Sequence, residues 1–107
     1  LCVFPSHREA FSVVVLEAMA TGTPVIYSNI GPGYEIIRDG ENGFFCDPHN
    51  PDNIAEKIIH LLKDKELMEI IGQNGRKQVV DNFSLHQLVD RNLEYYKTCI
   101  QEYYLKK

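Results

Sequence analysis

The sequence lacks long apolar runs and clusters of basic residues, and each of these absences excludes a class of protein. No apolar run approaches the roughly 18 residues that a membrane-spanning helix needs. No basic stretch is longer than the final Lys106-Lys107 pair, and the formal net charge of the 107 residues is −4. This balance gives no bulk attraction to nucleic acid or to anionic lipid. We therefore expect no nucleic-acid partner and no membrane-spanning helix.

Cysteine is also sparse, because the chain has only Cys2, Cys46 and Cys99. Their number is odd, their spacing is wide, and no Cys-x-x-Cys pair suggests a zinc site or a redox dithiol. The four histidines form no metal-binding spacing with cysteine or acidic residues. We expect a cytoplasmic protein with reduced cysteines, no metal ion and no cofactor, in which Cys2 and Cys46 are small core side chains.

The chain lacks an initiator methionine and opens on an apolar run, Leu1 to Phe4, which stops at Pro5. A run that is apolar at every position is typical of a buried strand in a parallel sheet. Because the chain opens as a strand already under way, we expect a fragment of a longer protein. Residues 1–107 are then one C-terminal part of a single domain.

A strand, a helix and a second strand follow one another closely at the start of the chain. Ser12 is placed to cap a helix from Val13 to about Thr21, and Gly22 ends it. Pro24 to Tyr27 is then a second buried strand. This order predicts a βαβ unit with two parallel strands.

The remaining chain predicts a third strand, Phe44 to Cys46, and a mainly helical C-terminal half. Helices are expected to start after Asn50, Asp64 and Ser84, with a single helical turn at residues 35–38 and a break near Gly72 and Gly75. Ser84 and Gln87 form a capping box, with Phe83 and Leu88 as its hydrophobic staple. The predicted fold class is α/β: a short parallel sheet, as in part of a Rossmann-like domain, with helices and a helical C-terminal tail.

Glu17 lies in a predicted helix that is apolar on nearly every side, which is typical of a buried helix. A carboxylate in such a helix is unfavourable without a hydrogen-bond donor, and no lysine or arginine lies three or four residues away. A ribose diol would supply two donors. A distant arginine or backbone amides would serve equally well on this residue alone.

The turn before this helix combines an anion-binding geometry with a second carboxylate. The N–H groups of Ser12, Val13 and Val14 lie at a helix start, where a diphosphate binds well, and Ala10 is small enough for close approach. Glu9 precedes them at the carboxyl edge of the sheet, where α/β proteins bind ligands. Taken singly, these features also fit an empty capped helix and a solvated carboxylate. Together they order a site along a nucleotide sugar.

The stretches Pro5-Ser6-His7-Arg8-Glu9-Ala10-Phe11-Ser12 and Val15-Leu16-Glu17-Ala18-Met19-Ala20-Thr21-Gly22-Thr23-Pro24-Val25-Ile26 resemble the Glu-x7-Glu signature of family 4 retaining glycosyltransferases. Asp39-Gly40-Glu41-Asn42-Gly43 resembles a turn of that family, and Gly31 to Glu35 resembles its Gly-rich loop. The resemblance covers nearly the whole chain. It implies the C-terminal part of the donor-binding domain of a GT-B fold, with the N-terminal, acceptor-binding domain missing.

The resemblance also implies roles for individual residues. Glu9 matches the catalytic glutamate that contacts the donor sugar, and Glu17 matches the one that binds the ribose. The other donor-binding positions are those of the intervening turn: Ala10, Phe11, Ser12, Val13 and Val14. The family usually has glycine at two of these positions, Ala10 and Ser12.

The implied activity is transfer of a hexosyl group from a nucleotide diphosphate sugar to a glycan, a lipid or another acceptor, with retention of configuration. The implied partners are the donor, an unidentified acceptor and the missing N-terminal domain, with possible peripheral membrane association of the longer protein. Two alternatives stay open. One is a GT-B relative such as an epimerase or a phosphorylase, and the other is a binding or interaction module without catalysis.

Overall fold

The computed structural model describes residues 1–107, and its centre is a sheet of three parallel strands. The strands lie in the order β1-β2-β3, with all four residues of β2 buried between its neighbours. In register, Phe4 lies opposite Tyr27, and Tyr27 lies opposite Phe45. The strand bounds are β1 Cys2–Phe4, β2 Val25–Ser28 and β3 Phe44–Cys46. The predicted parallel sheet is confirmed.

Four α-helices and one short 3-10 turn surround or extend this sheet. The helices are α1 Val13–Ala20, α2 Pro51–Lys63, α3 Lys65–Asn82 and α4 Leu85–Leu105. The predicted helix starts are confirmed, because Asn50, Asp64 and Ser84 each cap the helix that follows with a side-chain oxygen.

The single helical turn that we predicted at residues 35–38 lies earlier, at Pro32–Glu35. Pro32 occupies the first position of the turn, where its fixed φ is favourable. The Asn42 side chain then forms hydrogen bonds with the backbone of Ile36 and Arg38, so these residues do not continue the helical turn.

The core has two parts, one on each face of the sheet. On one face, Val15 and Met19 of α1 pack with Tyr27 of β2 and with α3. On the other face, Cys46 and Leu61 pack against Ile26. Burial confirms Cys46 as a core side chain and raises the pKa of its thiol, whereas Cys2 is only half-buried.

The expected break in α3 is absent, and its two glycines instead allow close packing. A Cβ at Gly72 would overlap the carbonyl oxygen of Gly22, which follows α1. A Cβ at Gly75 would lie 3.1 Å from the carbonyl oxygen of Asn42 and 3.5 Å from Met19. The glycines lower helix propensity, but they let α3 pack closely against α1 and the turn that follows it.

Asn42 organises the turn that precedes β3. Its side chain is buried, its Oδ1 accepts a hydrogen bond from the Arg38 N–H at 2.8 Å, and its Nδ2 donates to the Ile36 carbonyl at 3.2 Å. Gly40 completes the turn with a φ of +79°, in the left-handed region that glycine tolerates.

Replacing Asn42 with alanine should lower the free energy of unfolding by about 2 kcal/mol, because two backbone groups lose their partner. Chemical denaturation of the protein would measure this change. The matched control is Asn74→Ala, which removes one exposed hydrogen bond to the Glu41 carbonyl. Equal effects of the two substitutions would contradict the prediction.

The last helix, α4, projects from the rest of the molecule. The overall extents are 59 × 28 × 17 Å, and no residue of α4 is buried. Ser84 accepts a hydrogen bond from the Gln87 N–H, but the Gln87 Oε1 is buried without a partner, so only half of the predicted capping box forms. Four tyrosine side chains of α4 are exposed, which are Tyr95, Tyr96, Tyr103 and Tyr104.

None of the helices combines the length with the apolar character that crossing a membrane requires. No three His, Cys, Asp or Glu side chains cluster closely enough to hold a metal ion. The expected lack of a metal ion and of a cofactor stays a prediction.

Candidate functional site

The loops that follow the three strands meet at the carboxyl edge of the sheet. His7, after β1, contacts His49, after β3, with 4.6 Å between the ring centroids. Gly31, after β2, lies against the Glu9 carbonyl, so that a Cβ there would be 3.5 Å from its oxygen. Glu9 itself is exposed and forms no salt bridge or side-chain hydrogen bond within the chain. This edge is where open α/β sheets bind ligands.

The start of α1 faces the same edge and is open. Ser12 occupies the N-cap position with an extended backbone, as predicted, but its hydroxyl caps no amide. The first turn has no acidic residue, and Val13 and Val14 are 58% and 55% exposed. The first N–H groups of a helix lack intrahelical partners, so α1 offers them to an external acceptor. This differs from α2, α3 and α4, which have side-chain caps.

The prediction that α1 is buried all round, with Glu17 inside it, is wrong. Only Val15 and Met19 are buried, because the sheet and α3 cover one side of the helix and leave the other open. Glu17 is exposed and has no ion-pair partner in the chain. Because the carboxylate is exposed to solvent, it carries no desolvation penalty in the structure. It therefore does not need a hydrogen-bond donor from elsewhere in the chain.

Glu17 borders a groove of about 360 Å³ beside the open side of α1. Phe11, from the loop before α1, reaches across this groove towards Phe83, with 6.3 Å between the ring centroids. Glu17 is the only polar lining residue, and the other seven are Phe11, Val13, Leu16, Ala20, Val79, Phe83 and Leu88. The groove thus presents one carboxylate at the rim of an apolar surface, one helical turn from the open amides.

The structure does not bring the predicted site residues into one closed pocket. Ala10 is exposed in the loop, Phe11 and Glu17 line the apolar groove, and Glu9 lies beside Gly31. What these residues share is an open surface that runs from the loop after β1 along the first two turns of α1. Their assignment as a donor site stays a prediction.

Tyr27 is a residue of this region that the sequence analysis missed. It is 0% exposed, and its hydroxyl is buried without a hydrogen-bond partner. Burial, and next the charge of Glu9, raise the pKa of Tyr27 above its usual value. The sequence did contain a signal for this residue, which is a tyrosine within a predicted buried strand. A buried tyrosine hydroxyl usually has a hydrogen-bond partner, so its position there calls for one.

The chain matches known glycosyltransferases in sequence. The profile of the family "Glycosyl transferases group 1" matches residues 1–78. The capsular polysaccharide biosynthesis glycosyltransferase CapM of Staphylococcus aureus is 43% identical over 101 residues, which cover 94% of this chain and 26% of CapM. The chain therefore spans about a quarter of the length of this relative.

Solved structures agree with the sequence matches. Sucrose-phosphate synthase from Thermosynechococcus elongatus superposes with a TM-score of 0.86 at 32% identity, over 94% of this chain and 25% of that protein. The Anabaena protein HepE superposes with a TM-score of 0.85 at 25% identity, over 90% of this chain and 27% of HepE. The predicted α/β fold of the GT-B type is confirmed, and the chain belongs to the glycosyl transferases group 1 family.

Proposed function

We propose that this chain, residues 1–107, is the C-terminal part of the donor-binding domain of a longer glycosyltransferase. The whole enzyme would move a hexosyl group from a nucleotide diphosphate sugar to a glycan, a lipid or another acceptor, with retention of configuration. The observation that carries the proposal is the open start of α1, which has no side-chain cap and lies between two exposed carboxylates without ion-pair partners. The short coverage of CapM supports a longer enzyme.

The diphosphate would bind at the start of α1. Its negative charge suits the unpaired N–H groups and the positive end of the helix dipole. The loop that carries Ala10 and Phe11 leads directly into these amides, and Ser12, Val13 and Val14 supply them. This turn is open to a ligand, because the side chains of Val13 and Val14 are more than half exposed.

The two carboxylates would bind hydroxyl groups on either side of the diphosphate. Glu17 lies one turn along α1 from Val13 and would accept two hydrogen bonds from the ribose diol. Glu9 lies in the loop after β1 and would contact hydroxyls of the transferred sugar. HepE has been solved with UDP and with UDP-glucose, and this supports a nucleotide sugar as the donor.

The chemical contribution of these residues would be positioning and charge stabilisation. Breaking the sugar–phosphate bond leaves a negative charge on the diphosphate, and amides aimed at that charge stabilise the transition state. Glu9 would hold the sugar in the orientation in which the acceptor can reach it. No covalent nucleophile of the chain is part of this proposal.

Replacing Glu17 with glutamine should weaken the binding of the preferred nucleoside diphosphate by about tenfold, because a charge-assisted hydrogen bond is lost. Calorimetric titration of the full-length protein with UDP, GDP and ADP would measure the affinity. The matched control is Glu56→Gln, which changes an exposed helical glutamate of α2, on the other face of the sheet. Unchanged affinity in Glu17→Gln would remove this residue from the site.

The exposed apolar side of α4 favours a second candidate, an interaction module without catalysis. Such a module would show no sugar transfer by the full-length protein, whatever its nucleotide affinity. Product analysis would also separate a transferase from a GT-B epimerase or phosphorylase. Cytoplasmic location and peripheral membrane association of the longer protein stay predictions.

A further inference from the structure

His7 and His49 connect two loops whose strands do not pair. β2 lies between β1 and β3, so these two strands are not neighbours in the sheet. His7 follows β1 and His49 follows β3, yet their rings meet edge to face, with 4.6 Å between the centroids and 63° between the planes. The contact therefore bridges the central strand at the carboxyl edge of the sheet, beside the proposed donor site.

Few contacts fix the loop after β1, residues 5–11, near Glu9. None of the backbone hydrogen bonds of loops and turns involves these residues. Glu9 itself forms no salt bridge, and Gly31 of the next loop lies against its carbonyl group. His7 is two residues before Glu9, so its contact with His49 is a second restraint on this part of the loop.

His49 is held in place by the hydrogen bonds of its own turn. Its N–H donates to the Asp47 Oδ1 at 2.9 Å, and the Asn50 N–H donates to the Asp47 carbonyl at 3.1 Å. Asn53 of α2 accepts from the Asp47 N–H at 2.9 Å and donates its own N–H to the Asn50 Oδ1 at 3.1 Å. His49 thus belongs to a turn that is fixed to the start of α2, and it can support a loop that lacks such bonds.

We propose that His7 and His49 are positioning residues for Glu9, an inference that rests on the proposed function. His49 supports the His7 ring, and the His7 ring holds the loop where the Glu9 carboxylate meets the transferred sugar. Neither imidazole touches the reacting atoms. The pair therefore acts on the sugar end of the donor, whereas the nucleoside diphosphate binds at α1 without it.

The contact depends on the charges of the two imidazoles, because a histidine side chain changes its charge between about pH 5 and pH 8. A positive ring tolerates a neutral ring beside it, but two positive rings at this distance repel each other. The contact should therefore be present at the upper end of this range and lost at the lower end. Replacing His49 leaves every other charged group near the pair in place. On the segments that carry or adjoin the pair, these groups are Arg8, Glu9, Glu35, Asp47, Asp52 and Lys57.

The test separates the sugar from the nucleotide by calorimetry on the full-length protein. UDP-glucose, GDP-mannose and ADP-glucose are each compared with their own nucleoside diphosphate, and the ratio of the two affinities measures what the sugar contributes. The measurement is made at about pH 8 and at about pH 5.5, because a histidine changes its charge within this range. Effects of pH on the diphosphate and on the start of α1 cancel in the ratio.

Two variants distinguish the ring of His49 from its charge. His49→Ala removes the ring, and at the higher pH we expect the sugar to contribute about threefold to tenfold less affinity, the effect of one hydrogen bond. His49→Phe keeps an aromatic ring without a charge, so it should stay within about twofold of the wild type. At the lower pH the wild-type protein should lose the contribution of the sugar, whereas His49→Phe should keep it. The affinity for the nucleoside diphosphate should be the same in all three proteins.

His60→Ala is the matched control. His60 is also an exposed histidine that contacts an aromatic ring, because its centroid lies 6.0 Å from that of Phe44. Phe44 is the first residue of β3, so this contact lies at the opposite edge of the sheet from Glu9. The control should match the wild-type protein in both affinities at both pH values.

Three results would overturn the inference while the proposed donor site stands. They are a wild-type contribution of the sugar in His49→Ala, equal losses in the alanine and phenylalanine variants, and the same response to pH in His49→Phe and the wild-type protein. A sugar that adds no affinity to the wild-type protein would remove Glu9 from the site, and the inference with it, while the nucleotide site stands. A wild-type protein that binds none of the three nucleoside diphosphates would instead overturn the proposed function.

Discussion

Replacing Glu9 with glutamine in the full-length protein should lower kcat for sugar transfer by about a hundredfold, the usual effect of losing one group that stabilises a transition state. In the proposed site the carboxylate contacts the transferred sugar rather than the nucleotide. The affinity for the nucleoside diphosphate should therefore change little. Initial rates at saturating donor, together with calorimetry using the matching nucleoside diphosphate, would measure both quantities.

The control for this substitution is Glu41→Gln. Glu41 is also an exposed loop carboxylate, but it precedes β3 and lies at the opposite edge of the sheet from Glu9. It should retain wild-type turnover. A Glu9→Gln variant with wild-type kcat would show that the loop after β1 does not act on the sugar. The assignment of Glu9 to the donor site would then be wrong.

Replacing Gly72 with alanine should lower the free energy of unfolding by about 3 kcal/mol, at the upper end for adding a methyl group to a packed interface. The new Cβ would overlap the carbonyl oxygen of Gly22, and a backbone oxygen cannot rotate away as a side chain can. Either α3 or the turn after α1 must move. Chemical denaturation of the protein would measure the loss.

The neighbouring residue provides the control for Gly72. Gln73 is exposed on the same helix, and its side chain makes only a 3.4 Å hydrogen bond to Glu69. Gln73→Ala should change stability by no more than a few tenths of a kcal/mol, because alanine suits a helix well. If Gly72→Ala were as stable as this control, the contact between α3 and the turn after α1 would be looser than the structure places it.

The elements that the sequence predicted correctly are those with local causes. Apolar runs bounded by proline or glycine gave β1, β2 and β3, and an oxygen-bearing side chain marked each of α2, α3 and α4 at its start. These signals act within a few residues, so they do not depend on what the chain packs against. The family resemblance added the GT-B fold, which a chain of this length does not reveal by its element order alone.

The errors of the sequence analysis have causes that lie far along the chain. Glu17 was expected inside a buried helix, but nothing covers the open side of α1. Gly72 was expected to weaken α3, but it meets Gly22, which lies 50 residues earlier. Ser12 was expected to cap α1, but its side chain makes no capping hydrogen bond to that helix. These outcomes depend on tertiary packing that the local pattern does not contain.

The sequence by itself determined the strands, the helix starts and, through its motifs, the family to which this protein belongs. Secondary-structure propensity, helix capping and the spacing of apolar residues are short-range properties, and the amino-acid sequence contains all of them. Only the tertiary structure decided which side of α1 is open, why α3 needs Gly72, and that the hydroxyl of Tyr27 is buried. Those answers depend on contacts between residues that are distant in sequence, and the close packing of the interior settles them only when the whole chain has folded.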